Sequence, residues 1–294
     1  MAAYNGEKYI GEQIESILCQ TVSDWRLLIC DDCSQDSTAE IIKEYCSKYK
    51  DSIFLYENEK NSGSPCSNFF RLIRMSDADY IFTCDQDDIW KADKIEKTLK
   101  AFDNDSIPTL VHTDLTVVDE SKKTIRSSMI RSQHINVKRN RLNELIVQNI
   151  VTGCTMAINK SLADILKAPD NIPVHDWWIA VSAAIYGQIK FIDEQTVYYR
   201  QHGDNQCGAQ DMDSTEYLAG RFKDKSRSRH MLELGYIMAE ELMDKYDIPA
   251  EYIPMLREYS SMPDKSKLKK INTLFRYNIW KGGLIRKLGQ LYFL

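Results

Sequence analysis

The first half of the chain alternates short runs of β-branched and aromatic residues with stretches whose apolar residues recur at helical spacing. After the opening MAAY, four apolar residues fall on one face of a predicted helix: Ile10, Ile14, Ile17 and Leu18. Strands are predicted at residues 25–30, 53–56, 80–84 and 110–113. Helices are predicted after a cap at Asp36 or Ser37, and at residues 67–75 and 92–102. This alternation predicts an α/β fold in which helices flank a mostly parallel sheet.

The alternation is less regular in the second half. Residues 122–140 are polar and basic without clear periodicity, and we interpret them as a mobile insertion. Further strands are predicted at 154–158, 190–192 and 196–200, and a helix at 175–186. Beyond about residue 211 the pattern is helical to the end, interrupted by prolines. We therefore expect an α/β domain at residues 1–210 and a helical region at 211–294.

Composition places the chain among globular proteins. Of its 294 residues, 43% are hydrophobic and 28% are charged, a mixture that supplies a core and argues against disorder. No run approaches the roughly 18–20 apolar residues of a membrane-spanning helix, and the opening MAAYNGEKYI lacks the layout of a secretion signal. We expect a cytoplasmic protein that is soluble or peripheral at the inner face of the cell membrane.

Cysteines do not suggest a disulfide scaffold, because eight in so long a chain are too sparse. Cys30 and Cys33 form a C-x-x-C pair, but no second pair follows at zinc-finger spacing. The pair encloses Asp31 and Asp32, and neighbouring carboxylates raise the pKa of a thiol and reduce its reactivity. We expect most of these cysteines to be small core residues.

Charge is unevenly distributed along the chain. The net charge of −5 combines +8 over residues 265–294, which contain no acid, with −13 over the preceding 264 residues. An acidic body is not typical of a nucleic-acid-binding protein. The basic tail also contains Leu, Ile, Phe, Trp and Tyr, a mixture that can lie on an anionic membrane surface. Packing of the tail on the rest of the chain, or on a second copy, is the alternative.

Carboxylates follow three predicted strands, at the edge where α/β sheets bind ligands. They are Asp31-Asp32, Asp85-Gln86-Asp87-Asp88 and Asp114. One acid after a strand can cap the next helix, but three within four residues repel one another unless they hold a cation. Oxygen ligands suit Mg²⁺ or Mn²⁺, ions that proteins share with substrate phosphates. The sequence therefore predicts a metal-assisted diphosphate site.

Two other phosphate sites are excluded by motif. The chain has no G-x-x-x-x-G-K-[ST] loop, and no G-x-G-x-x-G follows the opening strand. A phosphoryl-accepting aspartate of the response-receiver type would leave the second acidic cluster unexplained, and the chain is much longer than a lone receiver.

Seven segments, in order over residues 1–206, resemble the family 2 glycosyltransferases. They are MAAYNGEKYIGEQIESILCQT, ICDDCSQDST, NSGSPCSNF, DYIFTCDQDDIWKADKI with its D-x-D, VTGCTMAI, PVHDWWIAVSAAIYG and YYRQHGDN. The resemblance implies the GT-A nucleotide-diphospho-sugar transferase fold, and the last segment is most similar to the rhamnosyltransferase-like branch. The opening strand is several residues shorter than is usual in the family, so we expect the native start to differ from Met1.

The resemblance also implies a site. The nucleotide-sugar-binding residues would be Ala3, Tyr4, Asp32, Asn61, Asp85 and Arg200. The ligands of Mg²⁺ or Mn²⁺ would be Asp87, Asp85 and His202, and the acceptor side would be lined by Gly153, His175 and Trp177. Asp176 would be the general base, on the first turn of its helix, where a negative charge is favoured. A structural hydrogen bond in the strand-end turn is the alternative role for His202, and core packing is the alternative for Trp177.

The function implied is metal-dependent inverting transfer of a sugar to a hydroxyl group. The preferred donor is dTDP-rhamnose, with a UDP-sugar as the second choice. The acceptor would be a cell-surface polysaccharide or a lipid-linked oligosaccharide precursor. Two alternatives stay open: a catalytically inactive nucleotide-sugar-binding homologue, and a sugar-phosphate nucleotidyltransferase, although YNGEKY lacks the Gly-rich basic character of the latter's first loop.

Overall fold

The computed structural model describes residues 1–203 and 225–294. The strands are β1 (Ala2–Ala3), β2 (Leu27–Asp31), β3 (Ile53–Glu57), β4 (Tyr80–Phe82), β5 (Ile89–Trp90), β6 (Thr109–Val118), β7 (Thr124–Arg126), β8 (Met156–Asn159) and β9 (Gln188–Arg200). The helices are α1 (Ile10–Leu18), α2 (Thr38–Lys48), α3 (Pro65–Met75), α4 (Lys94–Leu99), α5 (Met129–Ser132), α6 (Leu142–Leu145), α7 (Lys160–Ala163), α8 (His175–Tyr186), α9 (Lys225–Lys245), α10 (Ile253–Ser260), α11 (Lys267–Tyr277) and α12 (Leu284–Phe293).

Strands β1, β2 and β3 form a parallel sheet, as the alternating pattern predicts. The sequence of β2, LLICD, is a continuous apolar run that ends in an acid, and such runs are typical of strands covered on both faces. The inner face of α1 and that of α2 pack in the same core as β2. Because parallel strands end at one edge, Ala3 of β1 lies beside Asp31 of β2.

The second sheet is mixed, with the order β4-β8-β6-β9-β5 and with β7 paired to β6. Strands β6 and β9 are parallel, whereas the other pairings in this sheet are antiparallel. Helix α8 packs against this sheet, and its sequence HDWWIAVSAAIY is apolar around nearly the whole circumference. A helix of that kind belongs in the interior, and α8 is at the centre of the larger core.

Three regions differ from the predicted elements. Strand β6 continues to Val118, and β9 is one strand where the pattern indicates two. Asp114 therefore lies inside β6, where its carboxylate accepts hydrogen bonds from Leu115 N and Gln195 Nε2 (2.8 and 2.9 Å), so the prediction of a ligand-edge acid there is wrong. The polar segment 122–140 contains β7 and α5 instead of an irregular insertion.

The C-terminal helices complete the core around α8. Leu242 of α9, Leu256 of α10 and Leu274 of α11 are fully buried in the cluster that contains Trp178. The helical pattern is confirmed from residue 225 onward. The predicted boundary between residues 210 and 211 lies outside the described residues. Within 1–203 and 225–294, we find no helix that combines the length and apolar character needed to cross a membrane.

Candidate active site

Residues from both sheets and from α8 meet where β1, β2, β4 and β9 end. Asp32 N donates to the Ala3 carbonyl oxygen (2.9 Å), which joins the ends of β2 and β1. Arg200 Nε donates to the Asp87 carbonyl oxygen (3.1 Å), which joins β9 to the acidic turn after β4. Thr83 Oγ1 donates to the Gly153 carbonyl oxygen (2.5 Å), which ties the start of the same turn to the segment before β8.

Asp32 fixes the loop that contains Asn61. Its Oδ1 accepts hydrogen bonds from Asn58 Nδ2 (2.6 Å) and Ser62 N (2.8 Å), and its Oδ2 accepts one from Ser62 Oγ (2.8 Å). Asn61 Nδ2 donates to the Asp32 carbonyl oxygen (2.8 Å). Burial raises the pKa of the Asp32 carboxyl, but these donors outweigh burial and leave the pKa below its ordinary value. Asp32 is therefore an ionised acceptor at neutral pH.

Gln86, the middle residue of the D-x-D, joins the acidic turn to the end of β1. Its Oε1 accepts a hydrogen bond from Tyr4 N, and its Nε2 donates to the Tyr4 carbonyl oxygen, both at 2.8 Å. The amide lies against Gly6, where an added Cβ would be 2.3 Å from Oε1. The side chain of Tyr4 remains exposed. The predicted nucleoside-binding strand end and the predicted metal-binding turn thus form one unit.

Asp85 lies between this turn and α8. Burial raises the pKa of the Asp85 carboxyl to about 7, and the negative charges of Asp87 and Asp176 raise it further toward that value. Asp176 is joined to this acidic turn through Gly153, which accepts a hydrogen bond from Thr83 and lies beside the Asp176 carboxylate. Such a cluster is stabilised by a proton or by a cation.

Asp176 occupies the first turn of α8. Its Oδ1 accepts a hydrogen bond from Asn149 Nδ2 (3.1 Å), and the backbone N–H groups of Trp177 and Gly153 also donate to the carboxylate. Burial is the largest influence and raises the pKa of Asp176 to about 6, although these donors act to lower it. The carboxylate is therefore mostly ionised at neutral pH and can accept a proton from a hydroxyl group.

Gly153 leaves room for the ring of His175. A Cβ at residue 153 would lie 2.8 Å from His175 Nε2 and 3.6 Å from Asp176 Oδ2. The ring stacks on Phe69 with 3.9 Å between centroids, and burial lowers the pKa of His175 to about 3. Among the described residues, nothing hydrogen-bonds to its Nε2. Gly153 and a neutral His175 are therefore placed beside Asp176.

Asp87 and His202 lie together at the mouth of the site. Asp87 Oδ2 is 2.9 Å from His202 Nε2, and both side chains keep some exposure. A carboxylate suits Mg²⁺ or Mn²⁺, while an imidazole nitrogen favours a transition metal such as Mn²⁺. Asp87 and His202 thus offer two adjacent donor atoms to a divalent cation, and Asp85 is two residues from Asp87 in the same turn.

Arg200 positions the acidic turn. Besides the bond from Nε to Asp87, its Nη1 donates to the Glu120 carbonyl oxygen (3.3 Å), and its Nη2 donates to the Glu12 carboxylate. The guanidinium carbon lies 4.7 Å from the centroid of the Tyr9 ring. The side chain is buried, and its three nitrogens are all engaged within the chain. The expectation that Arg200 binds the nucleotide-sugar is therefore corrected, because its nitrogens bind the protein's own backbone and Glu12.

A second group of potential metal ligands lies deeper in the protein interior. Asp85, Asp88 and Cys154 place ligand atoms within 4.8 Å of one another, and Asp88 Oδ2 has no hydrogen-bond partner in the described part of the chain. Burial raises the pKa values of Asp88 and Cys154 well above their ordinary range. Protonated groups are poor ligands, so this deeper group would bind a cation only with loss of its protons.

Two side chains near the site belong to the core. Trp177 is buried and donates from Nε1 to the Leu145 carbonyl oxygen (2.6 Å), so the expectation that it lines the acceptor side is wrong. Lys94 is also fully buried, with its Nζ 4.9 Å from the Trp90 ring centroid and 3.4 Å from the Thr155 carbonyl oxygen. Burial lowers the pKa of Lys94 to about 8, and the charge of Asp88 is among the opposing influences.

Comparison with known proteins identifies this arrangement. The model of the family described as Glycosyl transferase family 2 matches residues 1–166. The chain belongs to this family. Over 266 residues, this family 2 chain is 28% identical to the dTDP-rhamnosyl transferase RfbG of Shigella flexneri, covering 86% of the chain and 89% of that protein. It is 35% identical to the putative glycosyltransferase EpsE of Bacillus subtilis, over 41% of the chain and 43% of that protein.

Solved structures show that the family 2 chain has the GT-A fold. S. aureus TarS 1–349 in complex with UDP superposes with a TM-score of 0.57 and 17% identity, over 91% of this chain and 71% of that one. The mannosyltransferase PcManGT of Pyrobaculum calidifontis, solved with GDP-Man and Mn²⁺, gives a TM-score of 0.56 and 15% identity, over 99% of this chain and 76% of that one. The predicted fold class is confirmed.

Sequence reasoning missed three residues that shape the site of this family 2 chain. Gln86 and Asn149 bind the Tyr4 backbone and Asp176, and no local pattern indicates either contact. Lys94 did carry a signal, because it lies on the same side of its helix as the buried Ile95 and Thr98.

Proposed function

We propose that this family 2 chain is an inverting glycosyltransferase in which Asp176 is the general base. The observation that supports this proposal best is that Gly153, which lies beside the Asp176 carboxylate, accepts a hydrogen bond from Thr83 at the start of the acidic turn. A donor held by the acidic turn would then have its anomeric carbon facing the Asp176 side of the same site.

The proposed step is a single displacement. The acceptor oxygen forms a bond to the anomeric carbon while the bond from that carbon to the diphosphate oxygen breaks. The hydroxyl proton passes to a carboxylate oxygen of Asp176, and the nucleoside diphosphate leaves on the opposite face of the sugar. Asn149 and the N–H groups of Gly153 and Trp177 hold the carboxylate in place for this transfer. His175 Nε2 lies beside Gly153, is buried and has no hydrogen-bond partner among the described residues.

A divalent cation, Mg²⁺ or Mn²⁺, would be held by Asp87, Asp85 and His202. Its chemistry when bound is to neutralise negative charge on the diphosphate. Arg200 and Gln86 keep the turn that carries these ligands in position. Asp32, Asn61, Ala3 and Tyr4 form the proposed nucleoside side.

We propose dTDP-rhamnose as the donor, because RfbG is named for dTDP-rhamnosyl transfer and matches along most of the chain. A UDP-sugar is the second choice, since TarS was solved with UDP. The proposed acceptor is a hydroxyl group of a cell-surface saccharide or of its lipid-linked precursor.

Thermal unfolding with a panel of UDP-, dTDP- and GDP-sugars, with and without Mn²⁺, tests the donor side. Stabilisation of about 2.7 kcal/mol is expected at a hundredfold excess over the dissociation constant. We expect dTDP-rhamnose with Mn²⁺ to stabilise most, and Asp87→Asn to remove the part that needs Mn²⁺. Asp51→Asn is the matched control, because Asp51 is an exposed acid that does not belong to the candidate site. A response to none of the sugars would contradict the proposal.

Transfer of the sugar to octyl glycosides, measured as release of the nucleoside diphosphate, tests whether Asp176 is the general base. Asp176→Asn should keep the donor-induced stabilisation and lose transfer by about 10²–10⁴-fold, because only proton removal is lost. Near-full transfer by this variant would show that another group is the base. Donor binding by the unaltered chain without turnover on any acceptor would favour an inactive homologue.

A further inference from the structure

Helix α12 presents an apolar face to solvent. Leu284, Ile285, Leu288 and Tyr292 are each between 53% and 73% exposed. Their spacing places them on one side of the helix, within about 100° of arc. Four large apolar side chains on one outward face are more than the scattered exposed residues of an ordinary surface.

Helix α11 adds two apolar side chains to the exposed surface of the same tail. Leu268 and Phe275 are 81% and 68% exposed and lie seven residues apart, which is two helical turns. Thr273 and Leu274 of the same helix are buried, so α11 presents an inward and an outward side. We call these six exposed residues the tail face: Leu268, Phe275, Leu284, Ile285, Leu288 and Tyr292.

The tail face is surrounded by positive charge. Residues 265–294 contain eight Lys or Arg and no Asp or Glu. Lys267 and Lys269 flank Leu268 and are exposed, while Lys287 precedes Leu288 and is partly exposed. Apolar residues mixed with bases alone match a surface that is apolar inside and anionic outside, which describes a membrane with acidic lipids.

A second copy of the chain matches the tail face less well. A two-fold contact would place this face against itself, so that its bases Lys267, Lys269 and Lys287 would meet the same bases of the second copy. Like charges brought together across an interface oppose association. Charge complementarity therefore favours an anionic lipid surface over a dimer.

The tail face is held firmly on the catalytic part of the chain. Gly282 N donates to Gln148 Oε1 (2.7 Å), and Arg286 donates from Nη1 to the His134 carbonyl oxygen (3.2 Å). Gln290 is buried, accepts from Lys281 N (2.9 Å) and donates to the Ile279 carbonyl oxygen (3.1 Å). The exposed apolar side is therefore not an unfolded end, because the opposite side of α12 is packed.

The residue that binds the tail is adjacent in sequence to the residue that binds Asp176. Gln148 binds Gly282, and the next residue, Asn149, binds Asp176. A surface that binds the tail face is thus tied, through two neighbouring residues, to the proposed acceptor side of the site.

We propose that the tail face docks the protein on an anionic lipid surface and presents the Asp176 side to an acceptor carried there. The membrane contact is independent of the proposed function, and only the position of the acceptor rests on it.

Flotation of the full chain with phosphatidylcholine vesicles, with and without about one third phosphatidylglycerol, tests the membrane contact. We expect binding to the anionic vesicles only, weakened by salt. The variant Leu268→Ser/Phe275→Ser/Leu284→Ser/Leu288→Ser should lose at least about tenfold in binding. Met75→Ser/Ile107→Ser, at exposed apolar residues outside the tail, is the matched control and should bind as the unaltered chain does.

Circular dichroism and thermal unfolding check that the fourfold variant is folded, which is expected because its changes are at exposed positions. Lys267→Gln/Lys269→Gln/Lys287→Gln supplies a second variant with the apolar residues intact, and it should also lose binding. Equal flotation of the fourfold variant, or no flotation of the unaltered chain, would overturn the proposal. A dimer that the fourfold variant converts to monomer, without vesicle binding, would assign the tail face to self-association.

Transfer to a soluble octyl glycoside separates the two proposals. If the proposed function is right, the fourfold variant should transfer sugar to this acceptor as fast as the unaltered chain. If the proposed function is wrong and no sugar is transferred, flotation still decides the membrane contact.

Discussion

Asp176 combines burial with several hydrogen-bond donors, and the balance between them sets its chemistry. Burial disfavours the ionised form, while Asn149 and backbone N–H groups favour it. Fewer donors would raise the pKa of Asp176 further, and fuller solvation would lower it. A pKa of about 6 lies near the operating range of a general base.

The pH dependence of transfer should follow this pKa. Because the base must be deprotonated, we expect kcat/KM to fall below about pH 6, by roughly tenfold for each pH unit. Asn149→Ala removes a donor to the ionised form and should move this acidic limb to higher pH. The pH profile of kcat/KM with and without the substitution is the measurement. A limb that stays in place in Asn149→Ala would show that another group controls it.

The same carboxyl group should make the folded chain less stable as the pH rises, whereas transfer should become faster. The pKa of Asp176 is raised from 3.8 to about 6 in the folded chain, so between these values the folded state binds more protons than the unfolded state. The folding stability that the raised pKa of Asp176 contributes is therefore fully present below about pH 4 and is lost as the pH rises through about 6. Asp176→Asn should unfold with a free energy higher by about 1–3 kcal/mol at pH 7, and with a smaller difference at pH 4. Urea unfolding at both pH values measures this, and an equal difference at the two would refute it.

At the scale of elements, the turn after β4 depends on the end of β1. The Gln86 amide accepts one hydrogen bond from the Tyr4 backbone and donates another to it, and Gly6 leaves the space that the amide occupies. The proposed donor-binding edge is thus assembled from two strands that belong to different sheets.

A double-mutant cycle tests this contact. Gln86→Ala should raise KM for the donor by about thirtyfold, because the turn loses two hydrogen bonds of about 1 kcal/mol each. Gly6→Ala should have a similar effect, since its Cβ would collide with the Gln86 amide. In the Gln86→Ala background, Gly6→Ala should add little, because the colliding group is gone. Additive effects of the two substitutions would show that Gly6 acts independently of Gln86.

Elements also show what the sequence can and cannot predict. Helix α8 begins and ends where the pattern predicts, because its apolar run is long and bounded by Pro173 and Gly187. The extent of β6 could not be predicted, since polar residues of this strand pair with residues of β9 inside the sheet; Thr113 Oγ1 and Thr196 Oγ1, for example, are 2.7 Å apart. A hydrophobic pattern contains no information about such pairings.

The candidate site also combines features that the sequence could predict with features that it could not. Asp87 with His202, and Asp176 with Gly153, are brought together as the resemblance implies. The environment of Arg200 could not be predicted, because its carboxylate partner Glu12 is 188 residues away in the chain. Whether a side chain faces a ligand or its own fold depends on long-range contacts of this kind.

For the whole molecule, the tail contributes to the core as well as to the surface. Leu274 and Ile279 are fully buried in the cluster around α8. A chain that ends at Asp264 should therefore unfold at lower urea concentration, with a loss of about 3–6 kcal/mol from these two side chains alone. Urea unfolding of both chains measures the loss. An unchanged midpoint would mean that the tail docks only weakly, and a truncated chain could then serve in the flotation test.

The contact between Gln148 and Gly282 also constrains protein engineering. Exchanging the last 30 residues with those of a relative would place a foreign tail against the native Gln148. The next residue, Asn149, holds Asp176, so the exchange would also act on that contact. Chimeras that test the proposed membrane contact should therefore transplant residues 133–149 and 265–294 together. Grafts of the tail alone are expected to disturb the segment that holds Asn149, and with it the proposed base Asp176.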